Sequence, residues 1–155
     1  MGERKVILKK MDDEKFKIYY DYAVSNYAEE KAKSGNWKEE EALKLAKDTF
    51  DKMLPDKQDT ENNYMYSIFN ENDDHIGFIW FIDEKGVSFL ADIILFEDFR
   101  GNGYGNLVMK ELEDKSKELG AKKIELHVFG HNKVAFNLYK KMGFNVTNYR
   151  MAKDL

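Results

Sequence analysis

An apolar strand that passes through a glycine-rich turn straight into an amphipathic helix leaves a chain few folds to choose from, and residues 94–106 have that form. Ile94-Leu95-Phe96 closes an apolar run, a short acidic turn follows, and Arg100-Gly101-Asn102-Gly103-Tyr104-Gly105 leads into the helix. Glycines let the backbone turn sharply and bring unpaired amide hydrogens near a ligand, while the helix start carries a partial positive charge of about half a unit. The junction therefore predicts a mixed α/β fold with a site for a phosphorylated ligand.

Spacing narrows the ligand. A dinucleotide fingerprint, G-x-G-x-x-G, would need glycine at Asn106, and a P-loop would need Lys and then Ser or Thr after Gly105. Neither pattern is met. What remains is R-x-x-G-x-G at Arg100, Gly103 and Gly105, which resembles the pyrophosphate-binding signature of the GNAT superfamily of N-acetyltransferases. A second segment, Asn132 to Phe144, reads N-x-x-A-x-x-L-Y-x-x-x-G-F and is similar to that family's other landmark, in the expected order. Residues 76–151 read as the family core, and Leu126 to Asn132 resembles a group of small bacterial members.

The resemblance implies a fold and a chemistry. The fold would be a central mixed, mostly antiparallel sheet with a splayed parallel strand pair, flanked by about four helices. The cosubstrate would be acetyl-coenzyme A, its pantetheine arm entering between the splayed strands. Backbone amides near Ile93 and Leu95 would hold the acetyl carbonyl and the pantetheine. Those of Arg100, Gly101, Asn102, Gly103, Tyr104 and Gly105 would hold the pyrophosphate, with Arg100 adding charge. Asn132 would bond the pantetheine or fix the last helix, and Tyr139 would protonate the departing sulfur.

Length and charge exclude other classes. A chain of 155 residues with 43% hydrophobic content fits one domain able to bury a core. With a net charge of −4 and lysines scattered among acids, it has no basic stripe for nucleic acid. No apolar run nears the length of a membrane span, and Glu3, Arg4 and Lys5 open a polar segment, so a cytoplasmic location is expected. Cysteine is absent, which removes disulfides and a cysteinyl intermediate. The histidines lack the H-E-x-x-H spacing of a helical zinc site.

Periodicity supplies the remaining elements. Val6 to Leu8 is a short strand, and Asp12 or Asp13 caps a helix whose Phe16, Tyr19, Tyr20, Ala23 and Tyr27 share a face. Asn36 is placed to cap a second helix carrying Ala42, Leu45, Ala46, Thr49, Phe50 and Met53 inward. Tyr64 to Phe69 and His75 to Ile82 read as a hairpin. Val87 to Phe96 is so continuously apolar that it reads as a central strand covered on both faces. The helix after the glycines carries Tyr104, Leu107, Val108, Leu112 and Leu119 on one side and stops at Gly120. Ile124 to Phe129 is then a parallel strand reached by a right-handed crossover. Lys133 to Met142 is the last helix, and Gly143-Phe144 opens a terminal strand to about Ala152. Such a strand can pair across a homodimer.

Acetyl transfer to an amine needs a neutral amine, a polarised carbonyl and a proton for the leaving thiolate. Tyr139 lies on the stripe Ala135, Leu138, Tyr139, Met142, which alone reads as core. Asp92 is the only ionisable residue in the run 87–96. It can serve as general base through a water, grip a cationic acceptor, or anchor a bulge or strand splay. His127 and water are the other candidate bases; His131 reads as a helix-cap helper and His75 as an exposed turn residue. Glu29, Glu30 and Glu39 to Glu41 read as a solvated face that can also rim an acceptor site. The acceptor is an amine on a small molecule or peptide. A non-catalytic acyl-coenzyme A binding or regulatory module on the same fold is the alternative.

Overall fold

The computed structural model describes residues 2–155. Strand β1 (Val6–Lys10) is followed by α1 (Asp13–Lys33) and α2 (Glu39–Met53), then by β2 (Asn63–Asn70), β3 (His75–Glu84) and β4 (Val87–Leu95). Helix α3 (Tyr104–Glu118), strand β5 (Lys123–Leu126) and helix α4 (Lys133–Lys141) complete the order. The sheet runs β1-β2-β3-β4-β5, antiparallel throughout except for the parallel pair β4 and β5. The fold class expected from the resemblance is the one observed.

Local chemistry explains where the helices begin and end. Asp12 accepts a hydrogen bond from the Lys15 amide at 2.8 Å, which caps α1 as expected. At its other end Ser34, Gly35 and Asn36 return their amides to carbonyls of the last turn, Asn36 N–H reaching Lys31 at 3.0 Å. Asn36 therefore closes α1 instead of capping α2, which starts after Lys38 with no side-chain cap. Glu39, Glu40 and Glu41 fill the first turn of α2, where the helix dipole favours negative charge.

The sheet is covered on both faces. Phe16, Tyr19, Ala23, Ala42, Ala46 and Phe50 of α1 and α2 pack on Met65, Phe78 and Trp80. On the opposite face Tyr104, Val108, Met109 and Leu112 of α3 pack on Ile68, Ile79, Phe81 and Leu90. β3, third of five strands and buried over most of its length, is the central strand. The expectation for β4 needs correcting: only Ser88, Leu90 and Ile94 are buried in it. Its apolar run continues because part of the strand walls a cleft, described below.

Two further expectations fail. No strand follows α4: residues 145–151 pair with no ladder among the described residues, leaving Tyr149 79% and Met151 90% exposed. Val146, Thr147 and Tyr149 are strand-favouring side chains, but that preference is realised only by packing against cross-strand neighbours, which they do not have here. His75 does not sit exposed in a turn. It begins β3 and lies between Phe78 and Phe96, ring centroids 4.7 and 5.1 Å away, with Nε2 3.0 Å from the Gly77 carbonyl oxygen.

Candidate active site

The site begins where two parallel strands part. β5 pairs with β4 only from Val87 to Leu90, and β4 then runs on to Leu95 with no partner on that edge among the described residues. Beyond Leu126 the chain bends toward α1, bringing the Phe129 ring within 6.3 Å of Tyr27. A bulge accompanies the parting: Trp80 pairs with Asp92 and Phe81 with Leu90, leaving Ala91 unpaired. Leu90 packs on the α3 face and Ala91 on the α1 face. Strict alternation would return Asp92 to the α3 face; the extra residue turns it to α1 instead.

There it meets Tyr19, whose hydroxyl donates to Asp92 Oδ2 at 2.8 Å. Burial pushes the Asp92 carboxyl up to about 6, although the Tyr19 hydrogen bond and the Ile93 backbone amide favour its ionised form. Asp92 forms part of the wall of a cleft of about 550 Å³ between α1, the splayed strands and α4. Tyr139 borders the same cleft, half-buried, with its ring edge-on to Phe144 at 5.7 Å. Its hydroxyl has no hydrogen-bond partner among the described residues, and burial followed by the Asp92 charge raises its pKa. Of the expected core stripe, Ala135, Tyr139 and Met142 turn inward whereas Leu138 is 41% exposed.

The glycine loop lies at the far end of β4. Gly101 (φ 73°) and Gly103 (φ 87°) both adopt the left-handed conformation, and Gly103 heads α3 with no side chain capping its first amides. A Cβ on Gly101 or Gly103 would meet nothing within 4 Å, and one on Gly105 only Leu95 Cδ1 at 3.9 Å. The loop is thus an open cradle of unpaired amides, which suits a pyrophosphate. Arg100 Nε donates to the Leu95 carbonyl at 2.8 Å, and Asn102 Nδ2 to the Arg100 carbonyl at 3.0 Å. Tyr104 turns its buried side chain away from the cradle, its hydroxyl donating to Glu71 at 2.6 Å, so only its backbone faces a ligand.

Asn132 heads α4, its Oδ1 accepting from the Ala135 amide at 3.1 Å. Of the two roles expected for it, the helix cap is formed. His127 lines the cleft, its pKa lowered by burial and by Lys31. The His131 carbonyl accepts the Lys133 amide at the start of α4 at 3.1 Å, while its ring bonds the Glu30 carboxylate through Nε2 and lies 3.3 Å from Ser34 Oγ through Nδ1. This joins the end of α1 to the turn before α4. Of the acidic residues near the two helices, Glu30 thus has a fixed partner.

The cleft also takes in residues that sequence reasoning assigned elsewhere. Tyr27 packs on the core beside Trp37 and Phe50, as its spacing implies, and also lines the opening with Asn26 and Lys31. Arg150, in the terminal segment, lies beside it and carried no signal. Tyr19 was placed on the buried stripe correctly, but its partner is 73 residues away. A second hollow, about 500 Å³ between α1 and α2, has no residue of either landmark segment in its lining.

Comparison with known proteins agrees with this geometry. Residues 20–144 match the Acetyltransferase (GNAT) family. The chain is 35% identical over 152 residues to the uncharacterised N-acetyltransferase YdgE of Bacillus subtilis, covering 96% of this chain and 97% of that one. It superposes on the crystal structure of Bacillus subtilis YycN with a TM-score of 0.92 at 34% identity, covering 97% and 99% of the two chains. A PaiA N-acetyltransferase from Thermoplasma acidophilum, solved with coenzyme A, shares the fold at a TM-score of 0.71 and 20% identity over 94% of this chain and 93% of that one.

Proposed function

Because the chain belongs to the GNAT family of acetyltransferases, we propose that it moves an acetyl group from acetyl-coenzyme A to a primary amine by direct attack in a ternary complex. The observation that carries this reading is the meeting of Asp92 and Tyr139, both shifted in acidity, on one cleft at the strand splay. The coenzyme, when bound, supplies an activated thioester. The amides of residues 101–105 hold its pyrophosphate, the Arg100 amide being bonded to the Glu97 carbonyl at 3.2 Å, and the free edge of β4 around Ile93 and Leu95 holds the pantetheine and acetyl carbonyl.

Asp92 then takes the amine proton on its carboxylate, directly or through a water. A carboxyl near 6 is mostly ionised at pH 7 and still basic enough to accept a proton. Tyr139 Oη holds the proton that the leaving group needs, and a hydroxyl without a protein partner is free to give it up. Tyr27 and Phe129 wall the acceptor end and exclude water from it. The acceptor is a small molecule or peptide carrying a primary amine. In this reading the chain acts as one domain.

A calorimetric titration with acetyl-coenzyme A, run beside NADH and ATP, tests the reading. Selective micromolar binding, followed by turnover in an amine screen, is the expected result. Binding without turnover of any amine would favour a non-catalytic acyl-coenzyme A module, and preference for a nucleotide control would overturn the cofactor assignment.

A further inference from the structure

We propose that Tyr19 is a positioning residue for acetyl transfer, holding the Asp92 carboxylate toward the cleft and setting the pH at which it works. The inference rests on the reading of Asp92 as general base.

Three features fix the arrangement. The bulge at Ala91 turns Asp92 toward α1. Tyr19 is fully buried there, and its ring is held against Phe78 at a centroid distance of 5.5 Å, so the hydroxyl has one direction to point. That direction ends on Asp92 Oδ2 at 2.8 Å. Phenylalanine would fill the same core volume, as Phe16 does one turn earlier on the stripe. The hydroxyl is the one atom at position 19 that packing does not require.

The electrostatic consequence is directional. A buried carboxylate with no donor shifts further toward its protonated form, and the Tyr19 hydrogen bond opposes that shift. The proton stays on Tyr19, because burial and the neighbouring Asp92 raise its pKa well above the ordinary phenol value. The other charged or titratable groups on this cleft are Tyr27, Glu30 and Lys31 of α1, His127 after β5, Tyr139 of α4 and Arg150 of the terminal segment. Glu30 is engaged by His131, and none of the group donates a hydrogen bond to Asp92 among the described residues. Tyr19 is therefore the side chain that decides how readily Asp92 ionises.

The experiment follows the Asp92 carboxyl carbon by 13C NMR across pH in the ligand-free protein, with Asp92→Asn identifying the resonance. In Tyr19→Phe the midpoint should rise by about one pH unit. The acid limb of kcat/KM should move with it, lowering activity at pH 6 roughly fivefold while acetyl-coenzyme A affinity stays unchanged. In the Asp92→Asn background the tyrosine substitution should leave the pH profile unaltered. An unshifted Asp92 titration in Tyr19→Phe would overturn the positioning role, reducing the hydroxyl to a packing group. Full activity in Asp92→Asn would instead overturn the base assignment, and the NMR midpoint would still report whether Tyr19 sets the ionisation of Asp92.

Discussion

Gly77 of β3 lies so close to Ile94 of β4 that a Cβ built on it falls 1.9 Å from the Ile94 carbonyl oxygen and 3.1 Å from the Leu95 Cα. Both obstacles are backbone, so no side-chain rotation relieves them. Gly77 also pairs with Leu95, the last residue of β4 before the turn that leads to the glycine loop. Gly77→Ala should therefore force the two strands apart at the mouth of the site, costing more than about 3 kcal/mol and lowering the melting temperature by roughly 10 °C. Thermal unfolding followed by circular dichroism reads this. A loss of under about 1 kcal/mol would mean that the strands give way freely there.

Gly105 presents the opposite case, because its Cβ space is nearly empty: the nearest atom is Leu95 Cδ1 at 3.9 Å. It stands in the first turn of α3, where alanine is the better helix former by about 0.5–1 kcal/mol. Gly105→Ala should raise thermal stability slightly while weakening acetyl-coenzyme A binding by tenfold or more in a calorimetric titration. Gly103 does not permit this separation, since its φ of 87° strains any side chain. Unchanged affinity in Gly105→Ala would remove the pyrophosphate from this end of the loop.

The fold was legible wherever local chemistry decided it. The stripe of α1, the Asp12 cap and the glycine turn into α3 each depend on neighbours within a few residues and formed as read, as did the stripe of α2 except for Met53, which is 41% exposed. Elements that depend on what lies across the sheet were harder. The apolar run of β4 signalled burial without saying that protein covers part of it and a cleft the rest. Residues 145–151 carry the strand-favouring Val146, Thr147 and Tyr149, yet propensity does not supply a partner strand. At the site, Asp92 stood out because a lone carboxylate in an apolar strand needs a compensating group; which group it found depended on a bulge in β4 and a contact 73 residues distant. Periodicity cannot register either one.

Tyr139 offers a test of the proton donor. Its hydroxyl lacks a protein partner among the described residues, so removing it leaves no buried group unsatisfied, and the ring contact with Phe144 at 5.7 Å is kept in phenylalanine. Tyr139→Phe should therefore melt within about 1 kcal/mol of the parent and bind acetyl-coenzyme A equally well, while kcat falls about 10²- to 10⁴-fold. Stopped-flow or steady-state assays with any accepted amine suffice. A kcat within a factor of three of the parent would assign the proton to water.

Asp92 gives a prediction in which the pH dependence identifies the cause. Its pKa is raised from 3.8 to about 6 by burial, so folding favours the protonated carboxyl. The stability this lends is fully present below pH 4 and is lost as pH rises through about 6, leaving an ionised group that burial penalises at neutrality. Asparagine stays neutral at every pH and still offers an oxygen to the Tyr19 hydroxyl. The stability of Asp92→Asn relative to the parent should therefore grow by about 2–3 kcal/mol between pH 4 and pH 7.5. For a protein of this size, that is a widening gap of roughly 5–10 °C in melting temperature. A gap of constant size would mean that Asp92 is hydrated, not buried, and that its acidity is ordinary. A widening gap, joined to loss of turnover in the same variant, would show a carboxylate kept at a cost to the fold because the chemistry needs it there.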